Sequence, residues 1–240
     1  MRSIAKLMKD WQFTGPNGVT TAVELPHTWN ARDGQDGGND YWRGCCTYCT
    51  RFAAPVYDPA QQQVWLQFEG VNASAAVLLN GQQLCTHDGG YSTFRAEVTE
   101  LLQAENQLTV RVDNSVNDRV YPQKADFTFY GGIYRDVSLL VVNKNHIALG
   151  HFGDTGVKIT PALQENSSDI RVETLVEGSG TVTVELLDAE GRTVAKGEGE
   201  NAFLHLDAPH LWNGVKDPYL YTCVVRLLQD GQPVDEVTTR

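Results

Sequence analysis

The chain has 240 residues, 41% hydrophobic and 20% charged, with a formal net charge of −11. That length suits one large all-β domain or two ordinary ones, and no stretch approaches the ~18 consecutive apolar residues of a membrane helix. The acidic excess is scattered, which argues against nucleic acid or an anionic membrane surface as partner and fits a neutral ligand without selecting one.

The start, Met1 to Phe13, shows neither an apolar core nor a small-residue cleavage site, so it predicts no secretory signal. A period-two pattern then dominates. Val64 to Phe68, Ala75 to Leu79, Leu108 to Val112 and Val137 to Val142 read as strands. Asn80-Gly81, Asp88-Gly89-Gly90 and Asp113-Asn114 punctuate them as turns. The one helical candidate, Val98 to Gln103, is a turn or two long. Frequent short strands without intervening helices predict a β-sandwich rather than a βαβ fold.

Near residues 143–146 the pattern restarts with shorter strands. The clearest are Ile170 to Val176, Thr181 to Leu187, Thr193 to Lys196, Ala202 to Leu206 and Tyr221 to Leu228. Gly178-Ser179-Gly180 and Asp188-Ala189-Glu190-Gly191 suit hairpin turns. About seven strands in this half fit an immunoglobulin-like sandwich. The expected domains are therefore 1–143 and 144–240, with the final strand, beginning near Pro233, cut at or near its end.

Five cysteines, an odd number, with no predicted secretory signal point to reduced thiols and a cytoplasmic location. Cys45, Cys46 and Cys49 lie close in sequence, but no second cysteine or histidine pair stands at short spacing to complete a zinc site. On a strand, Cys46 and Cys49 would also face opposite sides. No metal and no cofactor is expected.

Several segments, in order, resemble the N-terminal half of the family 2 glycoside hydrolases, the β-galactosidase and β-glucuronidase group. They are Leu25-Pro26-His27-Thr28-Trp29-Asn30, the loop Asp36 to Gly44, Phe68-Glu69-Gly70-Val71, Val77 to Gly81 and His87 to Phe94. Asp126 to Val137 follows, and then Leu211-Trp212 with Pro218-Tyr219-Leu220-Tyr221. The run Cys45 to Thr50 departs from the aromatic-Tyr-basic run of relatives, at a strand position that bears on packing.

The resemblance implies an all-β chain, a galactose-binding-like jelly-roll β-sandwich followed by an immunoglobulin-like one. It implies that Asp126 reaches into a sugar pocket and that the loop with Asn39 and Asp40 lines the rim. A carboxylate accepts strong hydrogen bonds from neighbouring hydroxyls, but equally caps backbone N–H groups in a loop. The Gly/Asp-rich stretch Asp33 to Asp40 does not have EF-hand spacing. Arg135 and Asp136 are expected to form a structural pair, and His87 and Tyr91 to fill a turn and core more readily than to hold a ligand. Asn72-Ala73-Ser74 and Asn166-Ser167-Ser168 match the glycosylation pattern, a coincidence without a secretory route.

A retaining glycosidase needs two carboxylates about 5 Å apart. In the family these are glutamates on a barrel of ~250 residues, for which two sandwiches leave no room here. The resemblance thus implies a non-catalytic front portion of a hydrolase of O-glycosidic bonds, galactoside or glucuronide, inactive alone. Its partners would be a carbohydrate substrate and the catalytic barrel, with assembly into a homo-oligomer left open. A freestanding carbohydrate-binding module and a purely structural β-sandwich pair are the competing readings.

Overall fold

In the computed structural model, residues 1–31, 41–122, 125 and 127–240 are described. Among them the only helical element is a 3-10 turn, Thr99–Leu101, where the sequence predicts one or two helical turns. Everything else regular is strand. The chain forms two compact units: Ile4–Val141, and Val142–Arg240 together with Met1–Ser3.

The first unit is a sandwich of two main sheets. One carries strands Ser3–Lys6, Val137–Asn143, Gln62–Phe68 and Phe94–Glu97 in that order. The other is six-stranded, in the order Thr20–Val23, Trp11–Thr14, Cys45–Ala53, Glu105–Asp113, Ser74–Leu79, Gln82–Asp88. Alternation decides which side chains enter the core. Along Cys45–Ala53, Cys46, Tyr48, Thr50 and Phe52 are buried while the intervening residues face outward. Cys46 and Cys49 therefore do point to opposite faces. The core holds Trp11, Tyr48, Leu66, Phe68, Leu79, Leu108 and Val110, all with no accessible surface. Phe68 and Phe94 stack at 4.9 Å, and His87 stacks on Phe94 at 4.2 Å, so His87 takes the packing role expected of it.

At Asn80-Gly81 both residues have positive φ, 52° and 83°, and Leu79 pairs with Gln82. This is the two-residue hairpin that the dipeptide encodes. A small third sheet joins His27–Thr28, Gly132–Ile133 and Val71–Asn72 and brings three distant motifs together. Arg135 and Asp136 are not a pair: Lys6 bonds Asp136 at 2.6 Å, and Arg135 Nη1 donates to the Glu69 carbonyl at 3.5 Å. Successive side chains on an extended backbone diverge, so neighbours in sequence found different partners.

The second unit has sheets Val157–Leu163, Ser167–Thr174, Asn201–Asp207 and Thr193–Glu198, Thr181–Leu187, Thr222–Gln229, Gln232–Thr239, with the pair His146–Ile147 and Val176–Glu177. Ile147, Val172, Val182, Val184, Val225 and Leu227 fill its core. Within this unit Arg2 grips Asp235 with two bonds, Nε to Oδ1 at 2.7 Å and Nη2 to Oδ2 at 2.5 Å. Asp235 is fully buried and also accepts the Ile147 N–H at 2.8 Å. The carboxylate is thus both paired and hydrogen-bonded, the condition for burying a charge.

Candidate functional site

Asn39, Asp40 and Asp126 lie outside the described residues, so their expected sugar contacts stand as proposals. What surrounds those stretches is described, and it is highly ordered by polar contacts. Asn30 and Asn114 have no accessible surface. Asn30 Oδ1 accepts from the Gly131 N–H at 2.7 Å and from Asn114 Nδ2 at 3.2 Å, and its Nδ2 donates to the Trp42 carbonyl at 2.8 Å. Asn114 Nδ2 also reaches the Phe129 carbonyl at 3.0 Å, while its Oδ1 accepts from the Gly44 N–H at 2.8 Å. Arg43 Nε donates to the Asn114 carbonyl at 2.7 Å, and the Arg43 guanidinium lies over the Phe129 ring at 5.1 Å. Two buried carboxamides therefore tie the backbone on either side of residues 32–40 to the segment just after Asp126. Buried amides hold such geometry because leaving any of these groups unpaired is costly.

Glycine makes the tie sterically feasible. Gly132 has φ of 142°, and a Cβ there would run into the His27 carbonyl; one at Gly131 would overlap the Trp29 indole. Beneath them, His27 Nδ1 and the Tyr48 hydroxyl share a hydrogen bond of 2.7 Å. Burial lowers the His27 pKa and raises that of Tyr48, so both are neutral here near pH 7.

Beside this platform is a cleft of about 340 Å³ lined by Thr28, Asn72, Tyr91, Tyr130 and Tyr134. Asn72, only 6% exposed, donates from Nδ2 to the Tyr130 carbonyl at 2.7 Å. The Tyr134 hydroxyl donates to the Gly90 carbonyl, and burial pushes the Tyr134 phenol up to about 12. Tyr91 is 70% exposed with its ring 6.4 Å from Tyr134. Tyrosine faces suit the flat, apolar side of a sugar or aromatic ring, and the hydroxyls and carboxamide suit its polar edge. The described lining of this cleft contains no carboxylate, so the cleft itself presents neither of the two groups a retaining glycosidase uses.

A larger depression near Asn80-Gly81, about 590 Å³, is different in kind. There Asn80 Nδ2 is bound to the Leu101 carbonyl and to Asn106 Oδ1, and Asn106 Nδ2 to the Gln103 carbonyl. Its two asparagine carboxamides serve the hairpin and the neighbouring turn and are already satisfied.

The model of the glycosyl hydrolase 2 galactose-binding domain-like family matches residues 39–162, and that of glycosyl hydrolases family 2 matches residues 151–240. The chain belongs to glycoside hydrolase family 2. A β-glucuronidase from Bacteroides fragilis is 33% identical over 97% of this chain and 36% of its own length. A putative β-glucuronidase from Formosa agariphila is 34% identical over 99% of this chain and 29% of its own. Among solved structures, the FMN-binding β-glucuronidase from strain L2-6 of F. prausnitzii superposes with a TM-score of 0.93 at 34% identity, over 99% of this chain and 39% of that one. The chain thus spans about a third of the length of these family 2 relatives.

In the family 2 chain, the asparagines that build the platform were hidden from sequence reasoning. Asn114 reads as part of a turn dipeptide and Asn72 as part of a glycosylation pattern. Their burial, 0% and 6% exposed, follows only from the tertiary fold, with Asn72 in the strand Val71–Asn72 and Asn114 just beyond the strand Glu105–Asp113. Tyr91, read as a core or turn residue, instead opens onto the cleft.

Proposed function

We propose that this chain is the non-catalytic N-terminal portion of a retaining family 2 glycoside hydrolase, in which the jelly-roll unit shapes the sugar pocket and the chain supports the catalytic barrel. The observation that carries the reading is the share of the relatives it covers: full-length similarity on this side, about a third of the length on theirs. The relatives described above are named β-glucuronidases, which favours a glucuronide over a galactoside as substrate. Asp126, with Asn39 and Asp40, is assigned to sugar hydroxyls on the pocket rim. The cytoplasm is the proposed location, because an odd set of thiols suits a reducing compartment.

Two measurements test this. Reading the gene past the codon for Arg240 should show a barrel-length segment with two glutamates able to stand about 5 Å apart; a stop codon there overturns the proposal. The purified 240-residue chain should leave 4-nitrophenyl glucuronide and galactoside unhydrolysed while the complete protein turns one of them over. A second reading, a freestanding carbohydrate-binding module, is favoured by the tyrosine cleft, whose described lining lies wholly within the jelly-roll unit. Millimolar or tighter binding of glucuronate or galactose to the isolated chain would support it.

A further inference from the structure

The cleft lined by Thr28, Asn72, Tyr91, Tyr130 and Tyr134 holds a fixed hydrogen-bond acceptor that the fold leaves unused. The Tyr130 carbonyl can only accept, so the Asn72 carboxamide turns Nδ2 toward it, at 2.7 Å, and Oδ1 the other way. Gly90 lies against the same side chain, where a Cβ would overlap it, so close packing as well as the hydrogen bond holds the carboxamide in place. Among the described residues no donor reaches Asn72 Oδ1, and Asn72 lines the cleft although it is only 6% exposed. A carboxamide oxygen so deeply set costs stability unless something donates to it. The occupant of the cleft, water or ligand, must therefore carry that donor.

The rest of the described lining is aromatic and uncharged. Tyr134 is fixed by its hydroxyl on the Gly90 carbonyl. Tyr91 stands 6.4 Å from it with the rings at 56°, and Tyr91 and Tyr130 are both exposed. Open tyrosine faces take a flat ring by stacking. A uronate carboxylate would find no cation in this lining. A pyranose would bring several hydroxyls to one fixed acceptor and leave the others to the rim phenols or to water. A planar ring bearing a single hydroxyl matches the groups that the cleft offers.

We infer that this cleft receives the aromatic aglycone of the substrate. The aglycone ring lies against Tyr91 and Tyr130, and a hydroxyl remote from the glycosidic bond donates to Asn72 Oδ1. The inference rests on the reading of the chain as part of a glycoside hydrolase with Asp126 on the sugar. Asp126 precedes Tyr130 by four residues, so their Cα atoms are no more than about 14 Å apart. One sugar joined to one aromatic ring spans such a distance. The two parts of the substrate then divide by chemistry: the polar sugar goes to the carboxylate, and the flat uncharged part to the tyrosines.

Calorimetry on the complete protein tests this with 1-thioglycosides of glucuronate and of galactose, whose sulfur link resists hydrolysis so that binding is read without turnover. The 4-hydroxyphenyl compound should bind roughly three- to tenfold tighter than the 4-methoxyphenyl one, which has no proton to donate to Asn72. Both should bind tighter than the methyl compound, which has no ring. In Tyr91→Ala the aryl-over-methyl preference should shrink by roughly three- to tenfold, with the thermal midpoint unmoved because Tyr91 is 70% exposed. A methyl compound that binds as tightly as the aryl ones, or an undiminished preference in the variant, overturns the inference. A second arm needs no sugar site: 4-methylumbelliferone, a planar phenol, is titrated into the 240-residue chain and followed by its fluorescence. Binding that Tyr91→Ala weakens by a similar factor is expected, and the absence of a saturable change at millimolar chain overturns the inference. A complete protein that hydrolyses glycosides without any aryl preference would sink this inference alone. One that hydrolyses none, while the chain binds 4-methylumbelliferone through Tyr91, would sink only the assigned activity.

Discussion

Removing the Asn114 carboxamide should be among the most damaging single changes to the jelly-roll unit. In Asn114→Ala the Gly44 N–H loses its acceptor, and the Phe129 carbonyl and Asn30 Oδ1 each lose a donor. Asn30 Oδ1 keeps the Gly131 N–H, so one donor and one acceptor are left unpaired. At about 1–3 kcal/mol each, with a small cavity added, the expected loss is roughly 3–4 kcal/mol. With a urea slope of about 2 kcal/mol/M, the midpoint should fall by roughly 1.5–2 M. Asn114→Asp sharpens the test, because it preserves shape but sets a carboxylate oxygen against two acceptors. The folded state then favours the neutral acid, which raises its folded pKa above the unfolded value near 3.9. Its destabilisation should therefore grow as pH rises through that window and shrink toward pH 4. Urea unfolding at two pH values, followed by tryptophan fluorescence, reads both effects. A loss under about 1 kcal/mol for the alanine variant, or a pH-independent loss for aspartate, would refute the claim that buried carboxamides fix this platform.

Breaking the ion pair with Arg2→Ala should cost the second unit about 3–5 kcal/mol, because Asp235 would remain buried with only the Ile147 N–H; a urea midpoint unchanged from wild type would show that the first residues fray. Because burial lowers the His27 pKa, its protonation is resisted in the fold, so its contribution is present above the unfolded value near 6.5 and is lost as pH falls below it toward the lower folded value. His27→Gln should accordingly flatten the fall in urea midpoint between pH 7 and pH 5, and parallel curves for variant and wild type would contradict this. Burial pushes Cys46 up to about 12 and Cys223 to about 11, so in the native protein iodoacetamide should label exposed Cys45 first, with both buried thiols reacting only on unfolding. Peptide mapping over a time course checks the order.

The sequence by itself determined the fold class and most of the strands, since the period-two alternation and the turn dipeptides act locally. The strand Thr181–Leu187 coincides with its expected bounds, and Asn80-Gly81 adopts the predicted hairpin. The ordered motifs carried the family as well. The short helical candidate is a single 3-10 turn, Thr99–Leu101, with Val98 buried in the core and Leu101 and Leu102 packed against it. What only the tertiary structure decided are the contacts between residues far apart in the chain. Asn30, Asn114 and Gly131 meet because three segments converge, and no periodicity marks a carboxamide that will be buried and bonded on every side. Lys6, not Arg135, pairs with Asp136 because ion pairs follow proximity in space. The same holds for Trp212: its motif is visible in sequence, but only the tertiary structure shows that its indole stands 65% exposed.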